Sequence, residues 1–181
     1  GDSMATALAT PFYLDLGFSK TTIGTTVKVA SLWSSIFGGF VGGAIMLRIG
    51  INKALWIFGF IQLLSILGFA YLSRMGNDEV VLFWVVSFEY LGVGLGTAAF
   101  VSFIAQKTNP LYAASQIALL TSVMGLTRSI SNATTGYLIE YLGYEMFFYL
   151  CTGLAIPGML LLIVVAPFSS TKIEHELEYK S

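Results

Sequence analysis

Four ionisable residues lie inside long apolar stretches of this sequence: Asp2, Lys28, Glu89 and Arg128. A buried carboxylic acid can take up and release a proton, and a buried cation can bind an anionic group. Glu89 and Asp2 are therefore candidates for proton coupling, and Lys28 and Arg128 are candidates for contacts with a substrate. Because a charge facing lipid costs at least ~2.5 kcal/mol, we expect all four to point into protein or a polar cavity.

These four charges have two interpretations. Two acids and two bases could pair completely and simply hold a helix bundle together. Alternatively, they could line a cavity that binds and moves a polar substrate. Uncharged polar residues recur beside them at helical steps of three and four, which favours the cavity and adds Thr6 and Asn132 as candidate substrate contacts. The three polar stripes are Asp2, Thr6, Thr10 and Tyr13; Thr21, Thr25, Lys28 and Ser35; and Thr121, Gly125, Arg128, Ser131 or Asn132, and Thr135.

The composition identifies the environment of these residues. Hydrophobic residues make up 56% of the 181 and charged residues 10%, whereas soluble domains carry about 25% charged residues. We therefore predict an all-α membrane protein that contacts the lipid bilayer. The net charge of −1 argues against a nucleic-acid partner. The single cysteine and the single histidine indicate neither a metal site nor a cofactor, and no nucleophile pattern predicts an enzyme.

Apolar segments of about 20 residues, enough to cross the ~30 Å hydrocarbon core, predict the membrane helices. The first segment covers only about 20 Å at 1.5 Å per residue, so we expect it to be the second half of a helix that begins before the sequence. The chain would then hold part of one span and five complete spans. The predicted spans are residues 1–15, 21–47, 54–73, 80–105, 115–141 and 146–167, followed by a polar tail at 169–181.

The distribution of charges predicts which helices share an interior. The first, second, fourth and fifth spans each carry one of the four charges, so we expect them to surround a polar interior. The third and sixth carry none and are expected to be outer supports, with Gln62 the most polar side chain of the third. More basic residues flank the predicted spans on one side of the membrane, which places the C-terminal tail in the cytoplasm. That side holds Arg48, Lys53, Lys107, Lys172 and Lys180, against Lys20 and Arg74 on the other.

Glycines at spacings of four residues predict close contacts between helices. We expect Gly39 and Gly42 on the second span, and Gly92 and Gly96 on the fourth, to let helix backbones approach. Glu89 shares a helical face with Gly92 and Gly96, so its carboxylate should point toward a packed helix or a cavity. The run Gly92–Gly96 is no nucleotide-binding loop, because its spacing differs from G-x-G-x-x-G and no strand precedes it.

The pattern of spans resembles one half of a major facilitator superfamily transporter, in which the first, second, fourth and fifth helices of a half line the cavity. The segment "GGAIMLRIGINKAL" is similar to the cytoplasmic-loop signature of that superfamily, with Gly43, Arg48, Gly50 and Lys53 at matching positions. Leu47 stands where the signature usually has Asp. The resemblance therefore implies the C-terminal six-helix half of such a fold, with its first helix truncated, and an N-terminal half of the same transporter as partner.

Three stretches resemble the C-terminal half of AmpG-type muropeptide permeases more narrowly. They are "GDSMATALATPFYLDLGFSKTTIG", "EYLGVGLGTAAFVSFIAQKTN" and "ASQIALLTSVMGLTRSISNATTGYLIEYLGYEMFF". This resemblance implies proton-coupled import of anhydro-muropeptides across the bacterial inner membrane by alternating access, for cell-wall recycling. The same branch includes acetyl-coenzyme A transporters, so another anionic substrate is an alternative. A membrane scaffold that transports nothing is a second alternative.

Overall fold

The structure is a computed structural model that describes residues 2–107 and 112–166 of the chain. The described part is helical and contains no strand, which confirms the all-α fold class. Its elements are α1 (Asp2–Ala7), α2 (Ala9–Asp15), α3 (Lys20–Thr22), a π-helical turn (Ile23–Val27), α4 (Lys28–Ile49), α5 (Ile51–Met75), α6 (Glu79–Lys107) and α7 (Ala113–Val165). The predicted polar tail at 169–181 lies outside the described residues.

The second span begins at a capped helix end and contains a π-helical turn. The Ser19 hydroxyl accepts a hydrogen bond from the Thr22 amide at 3.0 Å and so caps the helix N-terminus. The helix then continues through the π-helical turn into α4, so that residues 20–49 form one long apolar helix. Because the turn breaks the 3.6-residue repeat, Thr21 and Thr25 do not share the regular α-helical register with Lys28 that the polar stripe assumes.

A single residue joins α4 to α5. Gly50 has φ 83°, a left-handed conformation that glycine adopts without steric cost. Its amide donates to the Met46 carbonyl at 2.9 Å, and its carbonyl accepts from the Ala54 amide at 3.1 Å, so the turn closes both helix ends. Such a short connection makes α4 and α5 antiparallel neighbours.

Helix α7 is bent at Gly143 into two arms. Gly143 has φ 71° and ψ 168°, a conformation outside the α-helix. A straight helix over the 51 residues from Ala114 to Val164 would be about 77 Å long, more than twice the ~30 Å hydrocarbon core. Below, the first arm denotes residues 113–142 and the second arm denotes residues 144–165.

An aromatic core connects the ends of the sequence. Phe12 lies with its ring centroid 5.0 Å from that of Phe148 on the second arm, and Phe148 stacks on Phe69 of α5 at 5.4 Å. Phe12, Tyr13 and Phe148 are at most 1% exposed. This cluster holds α2, α5 and the second arm together, while α6 packs against α4 and α5 and hardly touches α7.

The outer surface of the bundle is strongly apolar. Large side chains are exposed along the helices, including Trp33, Phe40 and Leu47 on α4 and Tyr141 on the first arm. Within residues 2–107 and 112–166, four helices are long and apolar enough to cross a membrane, and the fourth of them contains the Gly143 bend. Exposed apolar faces of this extent are suited to lipid rather than water.

Candidate functional site

A cavity of about 870 Å³ lies between α6 and the first arm. Because these helices scarcely touch, the space between them stays open. Most of the lining is apolar, and Arg128 is the charged residue of the described lining. The uncharged polar residues that line it with Arg128 are Ser3, Gln62, Thr97, Thr121, Thr127 and Ser131.

The position of the cavity along the helices is defined by its lining. Ile104 and Ile117 line it near the end where α6 finishes and α7 begins. Gln62, near the middle of α5, and Arg128, near the middle of the first arm, line it further in. The cavity therefore extends from the middle of these helices toward the end of the bundle where α6 finishes and α7 begins.

Arg128 is exposed on the first arm, as are all residues from 114 to 130. Among the side chains that the structure describes, none forms an ion pair with its guanidinium. A guanidinium has five N–H donors in a planar fork and can bind a carboxylate or phosphate through two of them. The structure thus places one candidate cation at the cavity wall, where it can meet an anionic group.

The other predicted substrate contacts lie outside this lining. Asn132 connects the first arm to α1: with its amide nitrogen turned toward α1, it donates to the Ser3 carbonyl at 3.0 Å and to the Arg128 carbonyl at 3.3 Å. Thr6 is half-buried on α1, and Lys28 is exposed on α4; neither lines the cavity. Asp2 begins α1, and its side chain is outside the described part.

Glu89 is buried between α6 and α5, with 1% of its surface exposed. The Gln62 amide nitrogen donates to Glu89 Oε1 at 3.1 Å, and the Ser65 hydroxyl donates to Glu89 Oε2. The prediction that α5 only supports the bundle from outside is therefore wrong. Its polar side chains meet the Glu89 carboxylate, and Gln62 also reaches the cavity wall.

Ser65 is a functional candidate that the sequence reasoning missed. It is fully buried and follows Gln62 by three residues, so the two side chains lie one above the other on α5. Two polar side chains at this spacing in an otherwise apolar helix were a signal that could have predicted a polar contact. The periodicity could not show that the partner was Glu89.

Complete pairing of the membrane charges is not what the described structure shows. Neither Lys28 nor Arg128 forms an ion pair with Glu89. An ion pair does join Arg74, at the end of α5, to Glu145, just after the Gly143 bend. There the Tyr144 hydroxyl also donates to Asp15 at the end of α2. These polar contacts connect helix ends on the side of the bundle opposite the α4–α5 turn.

The glycines divide between a close helix contact and open space. A Cβ atom on Gly38 would lie 2.5 Å from the Leu91 carbonyl oxygen. One on Gly94 would overlap the Ser35 carbonyl oxygen, and one on Gly42 would lie 3.3 Å from Leu95 Cα. These glycines let the backbones of α4 and α6 approach closely.

The predicted packing glycines differ in their surroundings. Gly42 lies in the α4–α6 contact, and Gly92 packs on α5, where a Cβ atom would come within 2.7 Å of Gln62 Oε1. Nothing lies within 4 Å of a Cβ built on Gly39 or Gly96. In the described chain these two face open space instead, which corrects their predicted packing role. Gly38 and Gly94, one and two residues away, make the close contacts.

The predicted signature residues surround the α4–α5 turn. Gly43 lines a groove between α4 and α6, Arg48 is exposed, and Lys53 is half-buried on the first turn of α5. Gly50 forms the turn itself, with the positive φ described above. The turn requires a glycine at this position because a Cβ atom would be strained there.

Comparison with known proteins places the chain in a family. Residues 1–180 match the Major Facilitator Superfamily. The chain belongs to this superfamily. The match agrees with the predicted multi-pass membrane protein and supports the prediction that the chain is not an enzyme.

Several bacterial proteins are similar to this superfamily member. An uncharacterized protein of Haemophilus influenzae is 49% identical over 174 residues, which cover 92% of the chain and 41% of that protein. A Rickettsia conorii protein named as an AmpG transporter is 34% identical, with 90% of the chain and 39% of that protein covered. The anhydromuropeptide permease of Escherichia coli strain K12 is 33% identical over 165 residues, covering 91% of the chain and 34% of the permease. The chain thus spans about two fifths or less of these relatives, and its AmpG-like character is confirmed.

Proposed function

We propose that the chain is the C-terminal half of a secondary transporter that imports anhydro-muropeptides into bacterial cells together with protons. It works by alternating access against an N-terminal half of the same protein, in the inner membrane and with its C-terminus in the cytoplasm. The name and similarity of the Escherichia coli permease support this substrate. Residues 114–130 of the first arm are exposed all round, and only one side of this segment borders the cavity. The remaining exposed surface supports the proposed partner half.

The observation that carries the proposal is Arg128 at the wall of a largely apolar cavity. A muropeptide presents carboxylates on its peptide and apolar faces on its sugar rings. The guanidinium can bind a carboxylate through two parallel hydrogen bonds, and the apolar lining can cover the less polar surface. Binding of a substrate carboxylate would explain why a cation lies at membrane depth, where an unpaired charge is energetically costly.

Glu89 is the proposed proton-coupling residue. It is buried, and two neutral side chains, Gln62 and Ser65, donate hydrogen bonds to its oxygens. Neutral donors fix the carboxyl group without committing it to the ionised form, as a bound cation would. An acid that can hold or release a proton next to the cavity wall is what coupling requires.

Uptake by the full-length protein in sealed vesicles tests the coupling. With Glu89→Gln, we expect a labelled anhydro-muropeptide to lose its accumulation under an imposed proton gradient, because the amide cannot carry a proton across. Exchange of internal for external substrate should persist, since Arg128 is unchanged. The matched control is Glu140→Gln, which removes an exposed acid of the first arm. Gradient-driven accumulation at the wild-type level in the Glu89 variant contradicts the assignment.

Competition separates the substrate alternatives. If the cavity serves anhydro-muropeptides, unlabelled anhydro-muropeptide should suppress uptake and acetyl-coenzyme A should not. Suppression by acetyl-coenzyme A would support the other transporters of the branch. A scaffold would keep its function when Lys28 and Glu89 are both replaced by apolar residues, whereas the transporter would lose its proton-driven uptake.

A further inference from the structure

We propose that Ser65 and Gln62 form a positioning site that holds Glu89 in both of its protonation states, with the Ser65 hydroxyl changing its acceptor as the proton arrives. Gln62 separates this site from the cavity and sets its access. The inference rests on the proposed function, because it describes how the coupling residue is served. It assigns roles to two residues of α5, the helix whose predicted span carries none of the four membrane charges.

The geometry around the Ser65 hydroxyl carries the first step. The Ser65 hydroxyl oxygen lies 2.7 Å from the backbone carbonyl oxygen of Gln62 and is hydrogen-bonded to Glu89 Oε2. A serine hydroxyl has one hydrogen and two lone pairs. It can therefore donate to the Gln62 carbonyl or to the Glu89 carboxyl group, but not to both at once.

Each protonation state of Glu89 selects one arrangement. When Glu89 is ionised, the Ser65 hydroxyl donates to Oε2, and the Gln62 carbonyl keeps the other hydrogen bonds of its helix. When a proton is added to Oε2, that oxygen donates to Ser65, and the Ser65 hydrogen turns to the Gln62 carbonyl. One proton is taken up, no heavy atom moves, and no buried hydroxyl or carboxyl oxygen of this cluster loses its partner.

Gln62 occupies the boundary between Glu89 and the cavity. Its amide nitrogen donates to Glu89 Oε1 at 3.1 Å, and its side chain also lines the cavity. This donation is available in both protonation states, because Oε1 remains an acceptor throughout. We expect a proton that enters from the cavity to pass the Gln62 amide, so that the amide orientation controls access to Glu89.

Gly92 leaves the space that the Gln62 amide occupies. A Cβ atom on Gly92 would lie 2.7 Å from Gln62 Oε1 and 3.4 Å from its Cδ. The first distance is too short for a methyl group, so the flexible end of the Gln62 amide would have to move, whereas the second is an ordinary contact. The absence of a side chain at position 92 is thus what lets Gln62 lie flat against α6 and reach Glu89, one turn away.

Two tyrosines are among the ionisable groups near the site in the described part of the chain. Gln62 and Ser65 face Glu89 from α5 and are neutral. Tyr13, from α2, interacts electrostatically with both Glu89 and Tyr90, which follows Glu89 on α6. Lys28 of α4 and Arg128 of the first arm form no ion pair with Glu89 in the described structure. The hydrogen bonds to Ser65 and Gln62 are therefore the contacts through which we expect the proton to be held.

Infrared difference spectroscopy of the reconstituted full-length protein, without substrate, tests the proposal. The carbonyl stretch of a protonated carboxyl group should appear as the pH falls and be absent in Glu89→Gln. In Ser65→Ala the band should shift, and the midpoint of its pH titration should move up by about one unit, a tenfold change in proton affinity. The reason is that the Ser65–Glu89 hydrogen bond is charge-assisted, and therefore stronger, when Glu89 is ionised than when it is protonated. Its loss therefore destabilises the ionised form more.

The matched control is Ser73→Ala. Ser73 lies on the same helix and also donates to a carbonyl three residues back, Ala70 O at 2.7 Å, but contacts no carboxylate in the described structure. Its variant should leave the band and its midpoint unchanged. A Glu89 that stays ionised at every pH, or a Ser65 variant that titrates like the wild type, overturns the proposal. Neither result depends on which substrate is transported, so failure here differs from failure of the proposed function.

Gly92→Ala provides a second variant that leaves Ser65 intact. The added methyl should displace the Gln62 amide and expose Glu89 to the cavity, so deuterium exchange of the Glu89 carboxyl should become at least about tenfold faster. Gly153→Ala is the control, because a Cβ atom there meets nothing within 4 Å. Unchanged exchange in Gly92→Ala contradicts the role of Gln62 as the boundary.

Discussion

Helix α6 has two faces that differ in almost every physical respect. On one face, Gly94 and Leu95 pack against α4 at backbone distance, and Glu89 is buried against α5. On the other, Gly96 and Thr97 line the open cavity shared with the first arm. The two faces are separated by only two or three residues of sequence. Small residues serve both, because they permit close approach on one face and leave room on the other.

Position on the helix, rather than residue type, therefore determines the role of a glycine or a charge here. A charge on the packed face, Glu89, is enclosed by hydrogen-bond donors of a neighbouring helix. A charge at the open face, Arg128, has no described ion-pair partner. We assign the proton to the first environment and the substrate to the second.

The largest effect is expected on the packed face. Gly94→Ala forces a methyl group into the Ser35 carbonyl, so we expect the free energy of unfolding to fall by about 1–3 kcal/mol, as for other overpacked contacts. Gly96→Ala, half a turn away, should not destabilise the protein, since open space surrounds that position. Thermal unfolding of both full-length variants in detergent measures the contrast. Equal destabilisation by the two variants would remove the distinction between the faces.

A smaller effect, confined to substrate binding, is expected at the open face. Arg128→Ala should raise the KM for anhydro-muropeptide uptake about tenfold, which corresponds to ~1.4 kcal/mol, while thermal stability stays near that of the wild type because the side chain is exposed. Arg128→Lys keeps the charge but not the planar fork, so its KM should lie between those of the wild type and Arg128→Ala. An unchanged KM in Arg128→Ala, or a loss of stability as large as that of Gly94→Ala, contradicts the assignment.

The sequence could predict the all-helical membrane fold and the family, because apolar length and charge depletion reflect the lipid environment directly. It could not decide between Gly38 and Gly39. Adjacent residues point about 100° apart on a helix, and both belong to a small-residue repeat at a spacing of four.

The neighbour of Glu89 was beyond prediction for a related reason. Periodicity shows which residues share a face of α6, but the helix that covers this face depends on how the whole bundle packs. Charge counting favoured an interior shared by four helices, and the hydrogen bonds instead come from α5, the helix without a charge in its span. Neutral polar residues such as Ser65 therefore deserve as much weight as charges in a membrane sequence.

Thiol labelling of two positions on α6 tests most directly whether its faces differ. Thr97 is exposed and lines the cavity, whereas Ala99 is 0% exposed, and the native Cys151 is also 0% exposed. Thr97→Cys and Ala99→Cys in the full-length protein would be treated with a membrane-impermeant thiol reagent in inside-out vesicles. We expect Thr97→Cys to react at least about tenfold faster than Ala99→Cys, which should label no more than the wild type. Equal rates, or faster labelling at position 99, would contradict a cavity on one face of α6 and a sealed contact on the other.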